Sequence, residues 1–271
     1  MKDHSAKRTV GGFVAGSVIG ALGGLIGLGG AEFRLPVLKG IFRLETLEAV
    51  IFNKAMSLIV VSVALVARSL TILPTELLEY WPITVNLLAG SLIGAWLAAG
   101  SAIRMDTKTL DYVVFVLLVG LAILMIVQHL AQPGPTAEPL LADGVLRWIA
   151  GFAAGLGIGA IAAFLGVAGG ELLIPTITLL YGVDVRLAGS LSLAISLPTM
   201  LVGLRRYAEA DAFAVLKRER DLFGGMGLGS AAGAVAGGLA IGLIAPDWLI
   251  MLLAGILLLS AWKAFADARR T

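Results

Sequence analysis

The chain has 271 residues, of which 59% are hydrophobic, and a mean hydropathy of +0.97. Soluble domains use roughly 45–50% apolar residues, so a water-soluble globule is excluded. Only 14% of residues are charged, and the 20 Lys and Arg nearly balance the 18 Asp and Glu; a pI of about 9.0 therefore implies no nucleic-acid partner. The absence of cysteine excludes a disulfide framework, an iron–sulfur cluster and thiol catalysis.

A helix needs about 20 apolar residues to cross the hydrocarbon core, because lipid satisfies no backbone polar group. The first such stretch, Val10 to Gly29, follows Lys2, Lys7 and Arg8. It is too long for a cleaved signal sequence and reads as a retained helix. Seven more follow: Leu47 to Leu70, Pro82 to Ile103, Leu110 to Leu130, Val145 to Ala168, Val185 to Leu204, Leu222 to Ile244 and Trp248 to Phe265. Two shorter pieces, Leu35 to Phe42 and Ile174 to Tyr181, cannot span. Each follows a glycine break and carries a proline near its start, Pro36 or Pro175, which predicts a re-entrant half-helix starting there. The fold class expected is an all-α polytopic bundle of eight spans.

The chain also matches itself. Shifted by 139 residues, Gly12 to Pro36 aligns without a gap on Gly151 to Pro175, with 11 of 25 positions identical, among them Phe13/Phe152, Glu32/Glu171 and Pro36/Pro175. At the same offset Ser57-Leu58 meets Ser196-Leu197, and Gly90-Ser-x-x-Gly-Ala meets Gly229-Ser-x-x-Gly-Ala. This predicts two four-helix repeats, residues 1–131 and 145–271, joined by a linker at 132–144.

Basic residues are retained on the cytoplasmic side. With eight crossings and the N-terminus inside, 13 of the 20 basic residues fall inside, whereas Arg34, Lys39, Arg43, Arg104, Lys108 and Arg186 fall outside and Lys54 lies within a span. That predicts both termini in the cytoplasm and parallel repeats; counting one re-entrant piece differently would invert them. Arg205 to Asp221 reads as a solvated cytoplasmic loop.

Chemistry concentrates at the two breaks, Gly27-Leu-Gly-Gly-Ala-Glu-Phe-Arg-Leu-Pro36 and Gly166-Val-Ala-Gly-Gly-Glu-Leu-Leu-Ile-Pro175. Irregular backbone at membrane depth must line a cavity or be buried in protein, and a half-helix starting there aims its amides and positive dipole end inward, suiting an anion. Gly29, Gly30, Gly169 and Gly170 are candidate substrate contacts on this ground. Glu32 and Glu171 are candidate coupling groups, for protons or a cation, or simple helix-start residues. Arg34 can neutralise Glu32. Lys54, beside Asn53 and one turn before Ser57, either faces the pocket or snorkels to the surface; Ser192 and Ser196 offer hydroxyls in the second half. The Gly12, Gly16, Gly20 series reads as a helix-packing seam. The only histidines, His4 and His129, leave no His-based Ser dyad or zinc site within the membrane, so neither an enzyme nor a cofactor is expected.

Two Gly-x-Gly-Gly-to-Pro breaks half a chain apart, in an eight-helix protein of this length, resemble the TauE/SafE sulfite exporter family (TSUP transporters) over essentially the whole chain. The resemblance implies a transporter of the bacterial inner membrane exporting sulfite, a sulfonate such as sulfoacetate, or a related organic anion. The partners expected are that small anion, protons or a coupling ion, membrane lipid and a second copy of the chain. Only the glycines and Pro36/Pro175 carry over from the family pattern; the paired glutamates do not belong to it. The rival readings are a cation or metal carrier using the paired glutamates and a passive anion channel.

Overall fold

In the computed structural model, residues 2–26, 31–69, 78–131, 139–209 and 213–239 are described. They form ten helices with no strand: α1 (Lys2–Ile26), α2 (Ala31–Gly40), α3 (Thr46–Ser69), α4 (Trp81–Arg104), α5 (Thr107–Ala131), α6 (Val145–Leu165), α7 (Gly170–Tyr181), α8 (Val185–Ala208), α9 (Ala214–Arg218) and α10 (Arg220–Leu239). Five of them, α3 to α6 and α8, contain stretches long and apolar enough to cross a membrane. The eighth expected span, 248–265, and much of the linker lie outside the described residues.

The first and sixth helices do not lead across the bundle as expected. Arg8 Nη2 donates to Phe42 O (3.3 Å), and the Phe42 ring lies against Gly11. The end of α2 has therefore returned to the start of α1. In the same way Leu140 N–H bonds Leu179 O (2.9 Å), and the Arg147 guanidinium sits 5.6 Å over the Tyr181 ring, so α7 returns to the start of α6. Each pair is a hairpin that leaves on the face where it entered.

Ion pairs and hydrogen bonds identify the faces. Arg8 pairs with Glu219, Lys39 and Thr46 both bond Asp111, and Arg218 bonds Glu48 (2.7 Å). These contacts gather the start of α1, the end of α2 and the starts of α3, α5 and α10 on a first face. The Arg206 guanidinium stacks 4.8 Å over Trp96 and lies against Gly100, which adds the ends of α4 and α8. On the second face, Asn86 Nδ2 bonds both Trp148 O (3.0 Å) and Tyr181 Oη (2.9 Å). The hairpins thus enter from opposite faces, and the self-matching halves run in opposite directions. This corrects the expected parallel repeats. The reason is that each hairpin contributes no net crossing, which leaves three crossings, α3 to α5, in the first half.

The seams between halves are made of glycine. Cβ positions built on Gly16 and Gly20 of α1 fall on Met226 O and Ser230 O of α10, and those on Gly229 and Gly233 of α10 fall on Phe13 O and Ser17 O of α1. Shifted by 139 residues the same contacts recur: Gly155 and Gly159 of α6 meet Leu87 O and Ser91 O of α4, while Gly90 and Gly94 of α4 meet Phe152 O and Leu156 O of α6. Such backbone contact is how helices associate where lipid offers no hydrophobic drive. At the first face, Asp106 starts α5 by accepting Thr109 N–H (3.0 Å) and Oγ1–H (2.7 Å). These bonds hold its carboxyl below the ordinary range, so its contribution to stability is present at neutral pH and lost as pH falls through the folded value.

Because the chain contains no cysteine, the topology is testable with single substitutions. Arg43→Cys and Lys108→Cys should react with an impermeant maleimide from the same side of the membrane, and Leu140→Cys from the other. Labelling of Arg43→Cys together with Leu140→Cys would contradict the hairpins.

Candidate functional site

The tips of both hairpins meet inside the bundle. From Gly151, level with the second face, α6 runs 14 residues to Leu165, which at 1.5 Å per residue is about 20 Å. There it ends on Gly166 (φ 67), and α7 begins after Gly169 (φ 83). Both are left-handed conformations that favour glycine. The counterpart Gly29 and Gly30 lie outside the described residues. The half-helices begin at Ala31 and Gly170, five residues before Pro36 and Pro175, so the prolines are not their starts. Each proline instead lacks the amide that would bond the carbonyl four residues back, which is that of Glu32 or Glu171.

One side chain ties the two tips together. Asn53 of α3 donates Nδ2 to Ala31 O (2.9 Å) at the start of α2 and to Leu165 O (3.1 Å) at the end of α6. The other free carbonyls ending α6 are also met: Lys54 Nζ donates to Ala162 O (3.2 Å), Tyr207 Oη to Ala163 O (3.1 Å) and Ser57 Oγ to Gly166 O (3.4 Å). Lys54 is fully buried, so it does not snorkel. Its charge lies at the negative end of the α6 dipole, against Gly203 of α8. Tyr207 was not expected here. Its position beside Arg205 and Arg206 suggested a solvated loop, but α8 continues to Ala208 and buries the ring completely.

Arg34 is the buried group with unused capacity. Its Nη1 donates to Asn53 Oδ1 (3.1 Å) and Ser57 Oγ (3.3 Å), while Nε and Nη2 are buried without a partner. Those two nitrogens form the edge of the guanidinium that offers parallel N–H groups to two oxygens of one carboxylate, sulfite or sulfonate. An unpaired buried donor costs about 1–3 kcal/mol, so the edge favours a ligand that satisfies it.

Glu32 and Glu171, 139 residues apart in sequence, face one another closely enough for their carboxyls to hydrogen-bond. Glu32 Oε1 and Oε2 and Glu171 Oε2 are buried and accept no hydrogen bond from a protein donor. Glu171 sits in the first turn of α7, so the helix-start reading and the paired reading hold at once. Arg34 attracts Glu32 electrostatically without forming an ion pair. Of the second-half candidates, Gly170 faces Ser192, whose hydroxyl donates to Gly189 O (2.8 Å), and the Ser196 hydroxyl is buried without a partner.

Asn53→Ala should therefore loosen both tips. It leaves two carbonyls and one Arg34 donor unpaired, at about 1–3 kcal/mol each, and should visibly lower the melting temperature in detergent. An unshifted melt would mean that the tips are held together by other contacts.

A family model described as Sulfite exporter TauE/SafE matches residues 12–264. No curated protein and no solved structure matches the chain.

Proposed function

We propose, proceeding from the fact that this chain belongs to the sulfite exporter TauE/SafE family, that it exports a small sulfur-containing or organic anion, such as sulfite or sulfoacetate. The observation that carries this reading is the open Nε/Nη2 edge of Arg34, buried where the two hairpin tips meet. An anion there accepts two parallel hydrogen bonds, with Asn53 and Ser57 fixing the guanidinium from behind. The Glu32/Glu171 pair is the coupling site. The two self-matching halves, 1–131 and 145–271, act as the units that open the site to alternate faces.

Counted by position, twelve Lys and Arg lie at the first face and three, Arg68, Arg147 and Arg186, at the second. A separation this clear favours the first face, with the N-terminus, as cytoplasmic in a bacterial inner membrane. Lys39, Arg43, Arg104 and Lys108 then move to the inside, opposite to the eight-crossing expectation.

A carboxylate pair in a membrane protein also suits a cation, which makes a cation carrier the second reading. Proteoliposomes containing the purified chain should accumulate sulfite or sulfoacetate and leave divalent cations outside. Cation uptake with no anion uptake would overturn the anion reading in favour of the second.

A further inference from the structure

We infer that the anion crosses together with one proton, shared between Glu32 and Glu171, so that a singly charged substrate moves in an electrically silent 1:1 symport. This rests on the transport reading above and names the coupling partner.

The observation is a balance of charge. Among the described residues the ionisable groups buried around the hairpin tips are Glu32 and Arg34 on α2, Lys54 on α3, Glu171 on α7 and the Tyr207 phenol on α8. The undescribed break at 27–30 contains no ionisable side chain. Arg34 and Lys54 supply two positive charges and the two carboxylates two negative ones, so the empty site is neutral. A lone anion makes it net negative and a lone proton net positive. The anion and proton together restore neutrality. A net charge in the membrane interior slows a crossing by roughly a hundredfold, about 2.7 kcal/mol, so only the empty and the doubly loaded forms reorient readily.

Geometry gives the same sign. Glu32 lies two residues from Arg34 on one short helix and attracts it, so an ionised pair opposes an anion at the open guanidinium edge. A proton held between the two carboxyls removes one of those negative charges and makes one carboxyl a donor to the other. Each ligand therefore strengthens binding of the other, by reciprocal linkage.

The net direction follows the sum of the anion and proton gradients. Export against an alkaline interior runs only when the anion is about tenfold more concentrated inside per pH unit.

The test uses the full chain in proteoliposomes with methanesulfonate, a singly charged probe. An inside-alkaline step of one pH unit should drive accumulation of about tenfold, with one proton entering per anion by an entrapped pH dye. A potassium diffusion potential at equal pH should drive none. Sulfoacetate, carrying two charges, should respond to the potential as well. Glu171→Gln leaves the empty site positive and the anion-loaded site neutral. It should lose pH-driven accumulation while exchange of labelled anion persists, slowed by no more than about tenfold; Glu32→Gln should behave alike. Accumulation driven by the potential without a pH response, or by an inside-acidic step, would overturn the symport and leave the anion carrier standing. No uptake or exchange of any anion would overturn the transport reading itself.

Discussion

Arg34→Lys is expected to weaken anion binding by roughly a hundredfold, about 2.7 kcal/mol, the scale of a lost charge-assisted hydrogen bond. The substitution keeps the positive charge, so the balance with Glu32 and Glu171 is unchanged. What it removes is the planar edge, because an ammonium is a point charge that cannot present two parallel donors to one oxyanion. Affinity can be read by titration calorimetry, or as the shift in melting temperature produced by sulfite or sulfoacetate. Since Nη1 also holds Asn53 and Ser57, the melt without ligand serves as the control for folding. A folded Arg34→Lys protein that binds either anion as tightly as the unaltered chain would remove Arg34 from the site.

Gly155→Leu and Gly16→Leu are expected to disrupt the seams between the two halves. In each case the new Cβ would fall on a backbone carbonyl, Leu87 O for Gly155 and Met226 O for Gly16, and backbone cannot swing aside as a side chain can. The paired helices must separate, at about 3 kcal/mol or more. Gly157, two residues along α6, has nothing within 4 Å of its Cβ position. Gly157→Ala should therefore be neutral, or stabilising by up to about 1 kcal/mol from helix propensity. Thermal melting in detergent compares the variants directly. If Gly155→Leu melts with Gly157→Ala, the close approach of α4 and α6 does not hold the bundle together.

Much of this was legible in the sequence, for a physical reason. In lipid the backbone must satisfy itself within the helix, so apolar length alone located α3 to α6 and α8 to within a few residues. The 139-residue offset also foretold the seams, since Gly12, Gly16 and Gly20 recur as Gly151, Gly155 and Gly159. What hydropathy could not register is a return. A helix that dips in and comes back has the same composition as one that crosses, so α1 and α6 read as spans. Their reversal is visible only in Phe42 meeting Gly11 and in Tyr181 meeting Gly151. That reversal also explains why Lys39, Arg43, Arg104 and Lys108 were placed on the wrong side.

The sequence by itself determined that the chain is a helical membrane protein made of two matching halves, with ionisable groups at two glycine breaks, because composition and spacing are local properties of the chain. Only the tertiary structure decided how those groups meet. Glu32 and Glu171 face each other because the hairpins enter from opposite faces. Lys54 is directed to the end of α6 because that helix stops with unpaired carbonyls beside α3. Arg34 keeps an open edge because Asn53 and Ser57 occupy the other side of its guanidinium. Each of these outcomes depends on contacts between residues far apart in the chain, and local pattern carries no record of them.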